Sequence, residues 1–127
     1  SEHWNLWGDE KVGLYLYRAS LVDNSWSQTY IGKLTVAGSF NGGSTSANPM
    51  TYDEASKTWY ADLTIGEVGW GMQILLDENW DNLFKATGDG TLGYCEGDNI
   101  MPPGTGSYRL TINLNDMQHL TYEFTAN

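Results

Sequence analysis

Leu34-Thr35-Val36-Ala37-Gly38-Ser39-Phe40-Asn41-Gly42-Gly43 opens the stretch whose reading decides the fold, which runs to Trp80. Lys33 to Phe40 has the apolar, β-branched character of a strand. Asn41 to Asn48 is too rich in Gly and Ser for a helix and reads as a loop. Pro49-Met50-Thr51-Tyr52-Asp53 follows, then the alternating run Thr58-Trp59-Tyr60-Ala61-Asp62-Leu63-Thr64-Ile65. In a strand, alternate side chains share a face, so Trp59, Ala61 and Leu63 point one way and Tyr60, Asp62 and Thr64 the other. After Gly66-Glu67-Val68-Gly69 comes Trp70-Gly71-Met72-Gln73-Ile74-Leu75-Leu76-Asp77. Met72 to Leu76 is nearly all apolar and predicts a central strand. The stretch ends in a short polar tip, Glu78-Asn79, and Trp80. Strands joined by polar loops in this way predict an antiparallel unit.

Working outward, Asp81 to Gly90 holds Leu83 and Phe84 and then a Gly-Asp-Gly turn, and Leu92-Gly93-Tyr94-Cys95 is a short strand. Met101-Pro102-Pro103-Gly104 cannot continue a ladder, because proline lacks the amide donor. Tyr108-Arg109-Leu110-Thr111-Ile112-Asn113-Leu114 places Tyr108, Leu110, Ile112 and Leu114 on one face. Asn115-Asp116-Met117-Gln118 reads as a hairpin turn, and His119 to Thr125 returns as the last strand. On the N-terminal side, Val12 to Arg18 alternates as a strand between turn-like flanks. Residues 1–32 are expected to be an N-terminal extension or added strand(s), and 33–127 the main domain. No segment of a dozen residues repeats at the helical period. The expected fold is all-β: an immunoglobulin-like antiparallel β-sandwich of roughly seven to nine strands.

At 127 residues the chain is long enough to bury one core. Its six Trp and eight Tyr exceed what a small core needs, so some are expected at an exposed surface. Six Lys and Arg against sixteen Asp and Glu leave a formal charge of −10. That balance disfavours nucleic acid and anionic membrane surfaces, which both demand cations. It is compatible with an uncharged ligand. Cys95 is the single cysteine, so no internal disulfide is possible. No run approaches the length of a membrane span, so direct membrane insertion is not expected. Ser1-Glu2-His3-Trp4 has no signal-peptide character, so any leader or lipid anchor of a secreted parent is expected outside these residues.

The ordered set Gly38-Ser39-Phe40-Asn41, Pro49-Met50-Thr51, Thr58-Trp59-Tyr60-Ala61-Asp62-Leu63 and Asp77-Glu78-Asn79-Trp80 resembles the starch- and glycogen-binding β-sandwich modules. One relative in kind is the glycogen-binding module of the AMP-activated protein kinase β subunit. The other is the α-glucan-binding domain of SusE/SusF-type outer-membrane lipoproteins of Bacteroides. Gly97-Asp98-Asn99-Ile100 before Gly106-Ser107-Tyr108 strengthens the second comparison. The resemblance covers residues 33–126. It implies a carbohydrate-binding domain at the cell surface, held to the outer membrane of a Gram-negative bacterium through a lipid anchor. The implied partners are an oligo- or polysaccharide, together with other domains or an outer-membrane importer complex. No cofactor is implied.

Sugar recognition makes a simple physical demand. A pyranose face of C–H groups wants a flat aromatic platform, and its hydroxyls want planar amide or charged partners. An α-linked glucan curves, so two aromatics set at an angle can follow it. The resemblance assigns the second platform to Trp80 and a hydrogen-bonding amide to Asn99. Gln73, seven residues before Trp80, stands where these modules carry a lysine. Gly43 stands where they carry the first platform tryptophan. One lost stacking surface costs about 1–2 kcal/mol, or about ten-fold in affinity. Either Trp26, Trp70 or Tyr94 takes its place, or the ligand differs, or this copy has lost binding. The ligand-binding set is therefore Trp80, Asn99, Gln73, Trp70 and Tyr94. Four have a structural reading beside the functional one: Trp80 suits a core position, Asn99 a turn cap, Gln73 a side chain pointing outward from an apolar strand, and Trp70 the start of a strand. Lys85 is an available donor, although a lone surface lysine is ordinarily only solvated.

Metal and catalytic readings are weaker. Asp77, Asn79 and Asp81 match the start of a calcium loop, but Asn82 replaces its glycine and Gly88 its final glutamate. One Cys and the distant His3 and His119 cannot make a zinc site. Neither histidine sits in a nucleophile-like context, and Cys95 lacks an evident base. The expectation is a non-catalytic, metal-free binding module for an α-glucan of the starch or glycogen type. The alternative is a structural or protein-interaction β-sandwich with a lost glycan site.

Overall fold

The computed structural model describes residues 33–116 and 118–127. The expected N-terminal extension, the Val12 to Arg18 strand, Trp26 and one residue of the Asn115 to Gln118 turn lie outside the described residues. The rest is all-β. The strands are β1 (Leu34–Gly38), β2 (Thr51–Asp53), β3 (Thr58–Ile65), β4 (Met72–Leu76), β5 (Asn79–Gly88), β6 (Thr91–Tyr94), β7 (Gly106–Asn113) and β8 (Leu120–Ala126). A single 3-10 turn, Ser39–Asn41, follows β1, and no α-helix occurs among the described residues.

The strands form one antiparallel sheet in the order β1-β4-β5-β6-β8-β7-β3-β2. Its two ends nearly meet. The chain entering β2 bonds back to β1, with Val36 N donating to Asn48 O at 2.9 Å and Met50 N to Leu34 O at 2.7 Å. The sheet thus curls almost into a barrel, and its halves face one another across a shared core in a sandwich-like arrangement. Pairing the ends removes two open edges that could otherwise template aggregation.

The expected alternation is present. Trp59, Ala61, Leu63 and Ile65 of β3 are buried, and the residues between them are not. β7 contributes Leu110 and Ile112, and Leu114 lies just beyond it; they meet Leu34 and Val36 of β1, Met72 and Ile74 of β4 and Phe84 of β5. Burying a side chain such as Phe84 is worth about 1.5–3 kcal/mol. Across β7 and β8, Leu110 faces Phe124 and Ile112 faces Tyr122. β4 is central as expected, between β1 and β5. Its Leu75 makes a second, smaller cluster with Ala37 and Leu83. The pleat puts these three on the opposite side of the sheet from Val36, Ile74 and Phe84.

Two irregularities shape the site. The β4–β5 connection is only Asp77-Glu78, both at positive φ (51° and 61°), as a two-residue hairpin turn requires. Trp80 is therefore not at the loop tip, as the sequence reading placed it, but inside β5. Leu75 pairs with Leu83 and Leu76 with Asn79, so β5 advances four residues while β4 advances one. Trp80, Asp81 and Asn82 form the resulting bulge. The second irregularity is an insertion. Ala86 of β5 bridges Asp98, and Met72 of β4 bridges Ile100. The Asp98-Asn99-Ile100 segment thus bonds to both strands just beyond the Ile74–Phe84 pair.

Candidate functional site

Trp70 sits in the loop between β3 and β4, and the loop is built to hold it. Its amide donates to Ser39 Oγ at 2.8 Å. The next amide, Gly71 N, donates to Val68 O at 2.8 Å, and Ser39 N donates to Gly71 O at 3.0 Å. Gly71 has φ 88°, and a Cβ there would run into the Ile100 carbonyl oxygen. Only glycine meets both conditions. The Gly-Ser-Phe-Asn segment thus supports the loop through Ser39. Its Asn41 ties the other side: Nδ2 donates to Val36 O at 2.9 Å and to Asn48 Oδ1 at 2.8 Å, and Oδ1 accepts from Gly38 N at 3.0 Å.

Trp80 projects from the β5 bulge, which is pinned by three contacts. Asn79 Oδ1 accepts from Asp81 N at 2.8 Å. Cys95 Sγ donates to Asp81 O at 3.4 Å. Tyr94 donates its phenolic hydrogen to Asn82 Oδ1. At the turn just before the bulge, Lys33 Nζ pairs with Glu78, which raises the lysine pKa. Partial burial pushes the Asp77 carboxyl above its usual range, against the pull of the Lys33 amide and charge.

These supports bring Trp70 and Trp80 together. Their ring centroids lie 6.4 Å apart and their planes are inclined at 53°. They are 42% and 44% exposed, so neither is a core residue. Met101, the third large exposed hydrophobic among the described residues, sets its sulfur beside Gly71 and so adjoins the same loop.

Gln73 and Asn99 are also brought together. Gln73 lies between the buried Met72 and Ile74 and therefore faces the outside of the sheet. Asn99 lies between the two residues that bridge β5 and β4. Gln73 Nε2 donates to Asn99 Oδ1 at 2.6 Å. The bond fixes both amides and leaves Asn99 Nδ2 as donor and Gln73 Oε1 as acceptor.

An open groove of about 410 Å³ runs beside Trp80, lined by Gln73, Trp80, Asp81, Leu83, Lys85 and Cys95. It links the tryptophan pair to the amide pair through Trp80 and Gln73. Tyr94 takes a different place from the other site candidates. Its ring packs edge-on against Phe84 at 6.0 Å and its hydroxyl holds Asn82, so it braces the bulge. Gly43, where the resemblance expects the other platform, has φ 77° and no atom within 4 Å of a would-be Cβ. Among the described residues no group of three or more His, Cys, Asp or Glu could hold a metal ion.

Ser39, Met101 and Leu83 were not among the sequence candidates, whereas Lys85 reads there as a donor that is ordinarily only solvated. Ser39 carried a signal in the quoted Gly-Ser-Phe-Asn segment; its contact with Trp70, 31 residues away, did not. Among the described residues no helix is long and apolar enough to cross a membrane. Compared with family models, curated proteins and solved structures, the chain matches none of them.

Proposed function

We propose that the domain is a non-catalytic carbohydrate-binding module for an α-glucan of the starch or glycogen type. The observation that carries this reading is the Trp70–Trp80 pair, two exposed indoles inclined at 53°. Flat, coplanar platforms suit a straight chain of sugar rings. Inclined platforms suit a chain that curves, as α-linked glucose does. Stacking on each indole would bury the apolar face of a ring. Asn99 Nδ2 and Gln73 Oε1, a donor and an acceptor held side by side, complement the hydroxyls of a sugar. The acidic chain, at −10, favours such an uncharged ligand over an anionic one.

In this reading Trp70 takes the role that Gly43 leaves open. Its loop is bonded to Ser39, close in the chain to Gly43, which supports the exchange. The domain would sit at the cell surface of a Gram-negative bacterium on a lipid-anchored parent and retain polysaccharide near an outer-membrane importer.

Native affinity electrophoresis through gels containing amylopectin, pullulan, β-glucan or xylan tests the proposal. Retardation by the α-glucans alone is the expected result. Retardation by β-glucan or xylan would keep a carbohydrate module and discard the α-glucan assignment. Migration unchanged in every gel would favour the structural or protein-interaction alternative, with Gly43 as its physical reason.

A further inference from the structure

We infer that the groove beside Trp80 is an extension subsite, in which Lys85 donates hydrogen bonds to a further sugar ring of the same ligand. The inference rests on the carbohydrate reading and deepens it. The four cations among the described residues are Lys33, Lys57, Lys85 and Arg109. Lys33 is paired with Glu78 and Arg109 with Asp62. Lys57 stands in an exposed turn. Lys85 alone of the four is half-buried and lines the groove, and it forms no ion pair with the other described residues. An ammonium has three donors and no acceptor, so its complement is an oxygen-rich ligand.

The groove around it has the matching composition. Asp81 offers only acceptors, and Gln73 keeps a free acceptor after bonding Asn99. Lys85 and Asp81 are opposite in charge, so the walls favour a neutral group that can both donate and accept. Vicinal hydroxyls do both. Leu83 lies at the base of the groove but is itself buried, so the walls are mostly polar and the apolar face available to a ring is that of Trp80. The volume of about 410 Å³ lies within the range of small-ligand sites, about 300–1,000 Å³. Trp80 forms one wall and also one member of the tryptophan pair, so a chain stacked on the pair continues into the groove.

Isothermal titration of the full chain with maltotriose and with maltoheptaose tests this. The expected wild-type affinity rises with chain length. Lys85→Ala should lose about ten-fold on maltoheptaose, through one charged hydrogen bond, and bind maltotriose as before. Lys85→Gln, which keeps a donor, should recover part of the loss. Trp80→Ala should weaken binding of both ligands by about ten-fold or more. Unchanged maltoheptaose affinity in Lys85→Ala, with both ligands weakened in Trp80→Ala, overturns the subsite and leaves the platform reading standing. Equal loss on both ligands also overturns it, because Lys85 would then act on the first rings. Failure of the wild-type chain to bind either ligand overturns the platform reading, and the subsite with it.

Discussion

Ser39 Oγ accepts a hydrogen bond from the Trp70 amide at 2.8 Å, joining the 3-10 turn after β1 to the loop before β4. That bond sets where one of the two exposed indoles stands. Ser39→Ala removes the acceptor without adding bulk. The expected stability loss is about 0.5–1.5 kcal/mol, the net worth of one hydrogen bond. Retention in amylopectin gels should fall further than stability, because a loosened Trp70 no longer holds its angle to Trp80. Retention equal to wild type would mean that Gly69 and Gly71 fix the loop without Ser39.

Thr35 makes a second, independent prediction. It is fully buried in β1, and its Oγ1 finds no hydrogen-bond partner among the described residues. A buried hydroxyl without a partner is costly. Thr35→Val keeps the branched shape that a strand favours and removes the polar atom. The variant should be more stable by about 1 kcal/mol. Urea unfolding checks it: the midpoint should rise at constant slope. A lowered midpoint would show that the hydroxyl holds a buried water.

The outer face of β3 and β7 carries a titratable tie. Arg109 Nε and one terminal nitrogen donate to the two Asp62 carboxylate oxygens at 2.8 and 2.9 Å. The Arg109 bonds, and then the Asn127 amide, hold the Asp62 pKa below its usual value. A carboxylate with a depressed folded pKa stabilises the fold above its unfolded pKa, about 3.9. That contribution is lost as pH falls through the lower folded value. Asp62→Asn should therefore flatten the stability profile below about pH 4. At neutral pH its effect should be small and salt-dependent, because the pair is exposed. Profiles of variant and wild type that stay parallel through the acid range would count against this.

Much of the frame was legible because it rests on local alternation. Trp59-Tyr60-Ala61-Asp62-Leu63 and Leu110-Thr111-Ile112 show their buried faces in residue order alone. The site was legible in its members and not in its assembly. Trp80 read as a loop tip because Asp77-Glu78 is an unusual sequence for a two-residue turn, where Asn-Gly is the familiar signal. The bulge follows from that turn. The bonds of Asp98 and Ile100 to β5 and β4 are made by backbone groups, which any residue possesses. So are the bonds of Asn48 and Met50 to β1. Neither leaves a pattern along the chain. The Gln73–Asn99 bond depends on the Asp98 and Ile100 bonds, and its partners are 26 residues apart. Tyr94, a candidate platform by residue type, is drawn inward by Phe84, a contact that follows from the β5–β6 register.

The Trp70–Trp80 pair gives the decisive test of the binding site. Each ring offers a stacking face worth about 1–2 kcal/mol to a bound sugar, so Trp70→Ala or Trp80→Ala alone should cost about ten-fold or more in affinity. The rings are only 6.4 Å apart, so the two losses should not add. Once one platform is gone, the ligand no longer meets the other at its working angle. The double variant should therefore bind little worse than either single one. Both indoles are more than two-fifths exposed, so thermal unfolding should change by no more than the ring contact itself, about 0.5–1.5 kcal/mol. Stability that collapses while binding per folded molecule stays constant would recast the pair as a clasp between the β3–β4 loop and the β5 bulge. The exposed faces would then have no role in ligand recognition, and the carbohydrate reading would lose the observation that carries it.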